Sequence, residues 1–386
     1  MKADYVIVGS GLTGATIARM LTDTGREVFV LDRRAHLGGN VHDHRHASGI
    51  RIHTYGPHYF RTSSEKIWDY VTRFADFAPY VASLQTIVDG SLENWPIAAS
   101  YIRRVIGETW EPSFRGDPAN FEEASLAMMP ELIYRKFVKG YTEKQWGVPA
   151  SALSASLARR FDVREDDDPR LMKHKHQGIP REGYAAFMQN MLAGIDVSLN
   201  HTFVREESPV EARKLMIFTG PVDELFNCDL GRLRYRTQRR EHVYMPETAE
   251  FQPCGQVNNP DPRSAPHIRT LEWKHMMPPE QLAGVRGTVI TRETTIDSEE
   301  PDRHEYPFPD QANAELYNRY RERANAISRL LVCGRLGEYR YYDMDQAIGH
   351  AMSLAEGILA EDGPAAPPMN PGARGSARLA VATPAS

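Results

Sequence analysis

Cysteine is scarce in this chain. Cys228, Cys254 and Cys333 are three among 386 residues, an odd number without CxxC or His-rich spacing, so neither a disulfide framework nor a zinc site is suggested. A surplus of one charge sign is also lacking. With 46 Lys plus Arg against 51 Asp plus Glu, the formal net charge of -5 offers no basic field of the kind nucleic-acid binders use. No nucleic-acid partner is expected, and any anion recognition must be local. Long apolar runs are missing too: the chain opens MKADYVIVGSG, and the apolar stretch 5–8 is too short for a signal segment or a membrane span. The expectation is a cytoplasmic enzyme without membrane insertion. Finally, no Ser-His-Asp, Cys-His or paired-carboxylate arrangement marks a side-chain nucleophile. What is present is ample apolar material, 41% of residues, enough for two or three packed subdomains that fold without staples.

Residues 4–8 (DYVIV) predict a short buried parallel strand, then a glycine loop and an amphipathic helix from about Thr13 to Thr24; residues 27–32 (EVFVLD) predict the second strand. From about 64 to 160 the apolar periodicity turns helical, as in 67–74 and 132–138. From about 200 to 300, short β-rich runs such as 215–219 and 288–291 are bounded by Gly, Pro or Asp and predict a second sheet. Residues 329–334 (RLLVCG) return to a strand, and a helix begins near Asp343. From Glu361 the composition is Pro, Gly, Ala and Ser, which predicts a disordered tail.

Gly9, Gly11 and Gly14 form G-x-G-x-x-G between the first strand and the first helix. The glycines allow a tight turn, close approach of backbone to a pyrophosphate, and close packing of helix on strand. The helix N-terminus at Leu12 and Thr13 then offers N–H groups and partial positive charge to the phosphates. Asp32 follows Gly14 by 18 residues, where a carboxylate accepts hydrogen bonds from the adenosine ribose, with Arg33 beside it. Gly38, Gly39 and Asn40 extend the fingerprint as in many FAD oxidoreductases, which favours FAD over NAD. At the other end of the chain, Gly334 and Arg335 close a late strand. Asp343, flanked by Tyr342 and Met344, can cap a helix pointing at the isoalloxazine and ribityl chain. A plain helix cap without a ligand would also account for Asp343.

Ordered blocks along nearly the whole chain before the tail then resemble the UDP-galactopyranose mutase family. They are YVIVGSGLTGA, DRRAHLGGN, HTYGPHYFRT with IWDYV, KGYTEKQWG, ARRFDVR, QGIPREGY, FTGPVDELF, LRYRTQRRE, EWKH, ANAELYNRYR and GRLGEYRYYDMDQAI. The resemblance implies an FAD enzyme, active with reduced flavin and served by an external reductant, that interconverts pyranose and furanose forms of a UDP-sugar. It also accounts for the missing side-chain nucleophile: flavin N5 forms a covalent adduct with the anomeric carbon, while the protein supplies orientation and charge. A homodimer is the family's habit.

By this resemblance Arg160 and Arg335 hold the diphosphate, whose charge grows as the C1–O bond breaks. Tyr306 and Tyr341 donate hydrogen bonds to it. Phe137, Tyr141 and Trp146 lie in the block that carries the uracil-stacking tyrosine and a tryptophan beside the sugar; 137 and 141, four apart, share a helical face. Asn258 contacts the uridine and His58 sits near the flavin. The expected architecture is α/β: a Rossmann-type FAD-binding domain with an inserted helical domain and a second, mainly antiparallel β-sheet domain. Its parts are 1–63 (first FAD part), 64–160 (helical insert for uridine and substrate), 161–195 (mobile substrate loop and return), 196–325 (β-sheet substrate domain), 326–360 (closing FAD segment) and 361–386 (tail).

Three positions depart from the family pattern. Arg61 stands where the mutases have a second histidine close to the flavin, a catalytic position where a permanent cation would stabilise anionic reduced flavin or bind an acidic group on a different sugar; Leu171 replaces a tyrosine, and the stretch between about 92 and 121 is short. These departures leave open a mutase acting on a different nucleotide sugar. The same scaffold also suits an FAD-dependent oxidoreductase or a non-catalytic sugar-nucleotide binder, since one fold hosts many chemistries.

Overall fold

Lys2–Val8 becomes fully buried toward its C-terminal end, and it lies inside a parallel sheet drawn from distant parts of the chain. The computed structural model describes residues 1–160, 163–363 and 380–381; for Arg159, Arg160, Glu206, Ala380 and Val381 it describes the backbone alone. The strand order is Leu330–Val332, Glu211–Phe218, Lys2–Val8, Val28–Leu31, Asp196–Leu199 and Ala380–Val381, all parallel. Helix Leu12–Asp23 buries Leu12, Ala15, Ile17, Ala18 and Leu21 on this sheet and runs beside the long helix Met344–Asp362.

A seven-stranded sheet stands opposite, in the order Tyr306–Pro307, Tyr235–Met245, Thr288–Ser298, Arg269–Glu272, Gln256–Asn258, Leu84–Val88 and Ser91–Trp95. Its pairings are antiparallel except between Gln256–Asn258 and Leu84–Val88. A small three-stranded sheet places His176–Pro180 between Phe60–Thr62 and Phe77–Pro79.

Two sequence expectations need correction. The run 215–219 belongs to Glu211–Phe218 in the parallel sheet, beside Lys2–Val8, and not to the second sheet. Periodicity identifies a buried strand; the choice of partner is non-local. The stretch 64–160 is not wholly helical, since Phe77–Pro79, Leu84–Val88 and Ser91–Trp95 are strands. Leu84, Thr86 and Val88 alternate inward, and Asp89 and Gly90 both take positive φ, as a two-residue hairpin turn requires. The Asp-Gly pair is the local signal that a longer helical window hides. Within 161–195, His176–Pro180 is the central strand of the small sheet. The expected tail falls largely outside the described residues: the long helix runs to Asp362, and Ala380–Val381 pairs with Asp196–Leu199.

Candidate functional site

The glycine loop is shaped by contacts that leave no space for a side chain. Gly9 has φ +106°, and a Cβ there would stand 2.1 Å from the Thr219 hydroxyl oxygen; a Cβ on Gly14 would stand 2.0 Å from the Gly9 carbonyl oxygen. Helix Leu12–Asp23 therefore starts hard against the strand, and Gly11 caps it without a side chain, leaving its first N–H groups available. Gly38 and Gly39 cross this loop, with the Gly38 N–H donating to the Ser10 carbonyl at 3.2 Å. Asp32 is buried and accepts from the Ser10 N–H at 2.7 Å and the Ser10 hydroxyl at 2.6 Å, so it organises the loop from the second strand.

These residues open onto one cavity of about 1690 Å³. Among the sequence candidates with described side chains, Gly9, Gly11, Leu12, Thr13, Asp32, Arg33, Gly39, Asn40, His58, Arg61, Phe137, Tyr141, Trp146, Asn258, Tyr306, Gly334, Arg335, Tyr341, Tyr342, Asp343 and Met344 all line it. Gly14 lies behind the loop. The Arg160 side chain lies outside the described residues. Segments separated by more than three hundred positions thus meet because the parallel sheet closes with Leu330–Val332.

At the glycine-loop end, Arg33 is paired with Glu224, whereas Arg34 presents the more telling geometry. The Arg34 guanidinium lies 4.3 Å over the Tyr55 ring and donates to Asn40 Oδ1 at 2.9 Å and to the Asp302 carbonyl. Its Nη1 is buried with no partner among the described residues, a donor fixed in place and awaiting an acceptor.

Further along the cavity, Tyr306 and Tyr341 hold parallel rings 6.2 Å apart, and the Arg335 guanidinium approaches them at 5.2 and 4.3 Å. Arg335 Nε is likewise buried without a partner among the described residues. Burial keeps the Tyr306 phenol protonated well above neutral pH, so it is a donor. His58 Nδ1 donates to the Gly56 carbonyl at 2.8 Å, and burial, with His53 beside it, pushes its pKa down to about 3. The ring is therefore neutral, with Nε2 left as an acceptor. Arg61 Nη2 pairs with Asp343 at 3.1 Å, and the Asp343 N–H donates to Gln346 Oε1 at 3.0 Å as it caps the long helix.

Sequence reasoning missed Arg269. It lines the cavity and rests on a buried network in which Glu293 is shared by Arg269 and Arg240, while Arg240 also grips Glu305 through two bonds of 2.8 and 2.9 Å. Burial alone would raise the Glu293 carboxyl, but the two arginines outweigh it and hold it below the usual range. No spacing in the sequence joins these four residues, because three come from neighbouring strands of one sheet and Glu305 from the residue before Tyr306–Pro307.

At the opposite end, Phe137 is 2% exposed and meets Trp95 at 6.5 Å and Tyr101 at 5.0 Å, so it serves the core as well as the cavity wall. The shared α-helical face expected for 137 and 141 is replaced by a π-turn over Tyr134–Lys139, followed by helix Gly140–Trp146. The wider turn rotates Tyr141 relative to Phe137, a deviation common near functional sites. Asn258 Oδ1 accepts from Gln256 Nε2 at 2.8 Å, and Gln145 Oε1 from Gln238 Nε2 at 3.2 Å. Aromatic faces and fixed amides at one end, arginines and tyrosines in the middle, and a glycine loop at the other suit a long, polyanionic ligand pair.

The chain is similar to known proteins in sequence and in fold. Residues 136–341 match the family model described as UDP-galactopyranose mutase, and residues 7–74 match that of an NAD(P)-binding Rossmann-like domain. The dTDP-fucopyranose mutase of Escherichia coli is 32% identical over 371 residues, spanning 91% of this chain and 97% of that protein. A Klebsiella pneumoniae protein named "Probable UDP-galactopyranose mutase" is 34% identical over 371 residues, spanning 92% of this chain and 94% of its own. In fold, the crystal structure of reduced UDP-galactopyranose mutase has a TM-score of 0.70 at 16% identity, covering 93% of this chain and 96% of that one.

Proposed function

The chain belongs to the UDP-galactopyranose mutase family and is an isomerase of that kind, and from that premise we propose that it uses FAD to interconvert the pyranose and furanose forms of a nucleotide sugar. The observation that carries the reading is Arg335, stacked beside Tyr306 and Tyr341 with a buried N–H unpaired among the described residues, in the same cavity as the glycine loop.

The residues present fit FAD. Gly11 and Gly39 approach so closely that a Cβ on Gly39 would stand 3.1 Å from the Gly11 Cα, which leaves room for a pyrophosphate against backbone. The unpaired Arg34 Nη1 supplies a fixed cationic donor at that end. Gly9, Gly11, Leu12, Thr13, Asp32, Gly39 and Asn40 would hold the adenosine and diphosphate part, and Gly334, Tyr342, Asp343 and Met344 the remainder. When bound and reduced by an external reductant, FAD supplies the nucleophilic N5 for the anomeric carbon.

The chain's own residues handle the leaving group. Arg335 and Arg269 stabilise the growing negative charge on the diphosphate, and the Tyr306 and Tyr341 hydroxyls donate to its oxygens. Neutral His58 offers Nε2 as an acceptor and cannot serve as a cation at neutral pH. Phe137, Tyr141 and Asn258 enclose the nucleoside, Trp146 stands beside the sugar, and the aromatic walls exclude water from the reacting centre. A UDP-sugar is the first substrate to consider. A dTDP-linked 6-deoxyhexose is the second, because relatives named for the two substrates are nearly equally identical to this chain.

The test is product analysis. Photoreduced holoenzyme incubated with UDP-galactopyranose and, separately, dTDP-fucopyranose should yield a furanose peak with at least one, without stoichiometric consumption of oxygen or reductant. Absence of a furanose with both sugars, together with continuous reductant use, would turn the reading toward an oxidoreductase.

A further inference from the structure

Arg61 is a cation that the leaving-group chemistry does not use. It lies on strand Phe60–Thr62, is 17% exposed, and lines the cavity beside Asp343. Apart from Asp343 at 3.1 Å and the Tyr59 ring at 5.9 Å, no other partner meets it among the described residues. Asp343 is the cap of helix Met344–Asp362, so the ion pair fastens this arginine to a helix N-terminus that carries partial positive charge of its own. Gly334 abuts Thr13, with the Thr13 side chain 3.2 Å from where a Gly334 Cβ would lie. The Arg61 pair therefore stands at the N-terminus of helix Met344–Asp362, on the wall of the cavity that the glycine loop also lines.

We infer that Arg61 and Asp343 form a charge pair that sets how strongly the protein favours reduced over oxidised flavin. The inference rests on the reading that the cavity takes FAD. Two-electron reduction of a neutral flavin by an external reductant takes up one proton and leaves one negative charge on the ring. A guanidinium close by stabilises that charge, and a carboxylate close by opposes it. Because a guanidinium keeps its proton throughout the physiological range, the bias stays constant with pH, which an imidazole would not provide. The ion pair with Asp343 fixes the cation's distance from the helix end. Tyr59 and Tyr184 also feel its charge; burial raises both, so both stay neutral.

The experiment is the midpoint potential of the bound flavin in holoenzyme, with dithionite as reductant, read beside the flavin content. Arg61→Gln should lower the reduced-over-oxidised preference about tenfold, or about 30 mV for a two-electron couple. Asp343→Asn keeps a side chain able to cap the helix and should shift the potential upward. Arg61→His should match the parent near pH 5.5 and fall below it as the imidazole loses its proton, a signature that a purely structural arginine would not give. Potentials equal to the parent in Arg61→Gln and Arg61→His across the pH range would overturn the inference. Should both Arg61 variants purify without flavin, Asp343→Asn decides alone, and an unshifted potential there overturns it. Parent protein that binds no FAD at all would instead sink the proposed function.

Discussion

Arg335 is where residue chemistry bears most directly on activity. Its planar guanidinium lies against two tyrosine rings and keeps one N–H unspent, a geometry an ammonium cannot reproduce. Arg335→Lys should lower kcat/KM by roughly 10²–10³, the usual loss when a fixed donor to developing charge is removed, as measured by chromatographic assay of the furanose product. Glu293 bears on stability. It is fully buried between Arg269 and Arg240, and Glu293→Gln should cost roughly 3–5 kcal/mol in urea unfolding, because two desolvated arginines lose a shared counter-charge. Its carboxyl is held below the usual range, so its contribution is present above the unfolded-state value. That contribution is lost as pH falls through the depressed one. The variant should therefore show a shallower acid limb below pH of about 4.5, the ordinary glutamate range. Arg335 was legible from its block in the sequence; Glu293, Arg240 and Arg269 were not, since a cross-strand network has no spacing signature.

At the scale of elements, the glycine loop and the helix it opens are a single device. With a Gly14 Cβ only 2.0 Å from the Gly9 carbonyl oxygen, Gly14→Val must push helix Leu12–Asp23 off the strand. The expected outcome is protein that purifies colourless and melts below the parent, checked by flavin absorbance and thermal unfolding; a yellow Gly14→Val protein of parental stability would refute the loop's assigned role. This element could be read directly, because strand, turn and helix follow one another and each glycine meets a near neighbour. The hairpin Leu84–Val88 and Ser91–Trp95 carried an equally local signal in Asp89-Gly90, yet the surrounding helical periodicity masked it. The π-turn at Tyr134–Lys139 left no sequence trace; the Gly140 that follows it packs against the Pro260 carbonyl of a distant loop, where a Cβ would stand 2.1 Å away.

For the whole molecule, two measurable properties follow from how the sheets enclose the cavity. His53 is 1% exposed, accepts from the His58 N–H at 3.0 Å, and has its pKa pushed down to about 3 by burial and then by Arg51. An imidazole that stays neutral when folded but takes a proton near its ordinary value of about 6.5 when unfolded costs stability as pH falls between those limits. The slope is up to about 1.4 kcal/mol per pH unit, with no contribution at higher pH. His53→Asn, which keeps an acceptor, should flatten unfolding free energy against pH in that window. Nucleotide binding gives the second property: UDP or dTDP at about 100 times its Kd should raise the unfolding free energy by about 2.7 kcal/mol and raise Tm, with the larger shift marking the preferred nucleotide. No shift with either would exclude the cavity as a nucleotide site.

The sequence alone determined the dinucleotide fingerprint, the return of the chain through Gly334 and Arg335, and the capped helix at Asp343. Each depends on neighbours within a few residues or on blocks whose order survives along the chain. Only the tertiary structure decided that Glu211–Phe218 joins the parallel sheet, that Arg34 carries the unpaired donor while Arg33 is tied to Glu224, that Arg269 reaches the cavity, and that Arg61 is paired with Asp343. Strand partners and ion pairs are choices among distant candidates of equal local merit, and the packing of two sheets around a common cavity makes that choice.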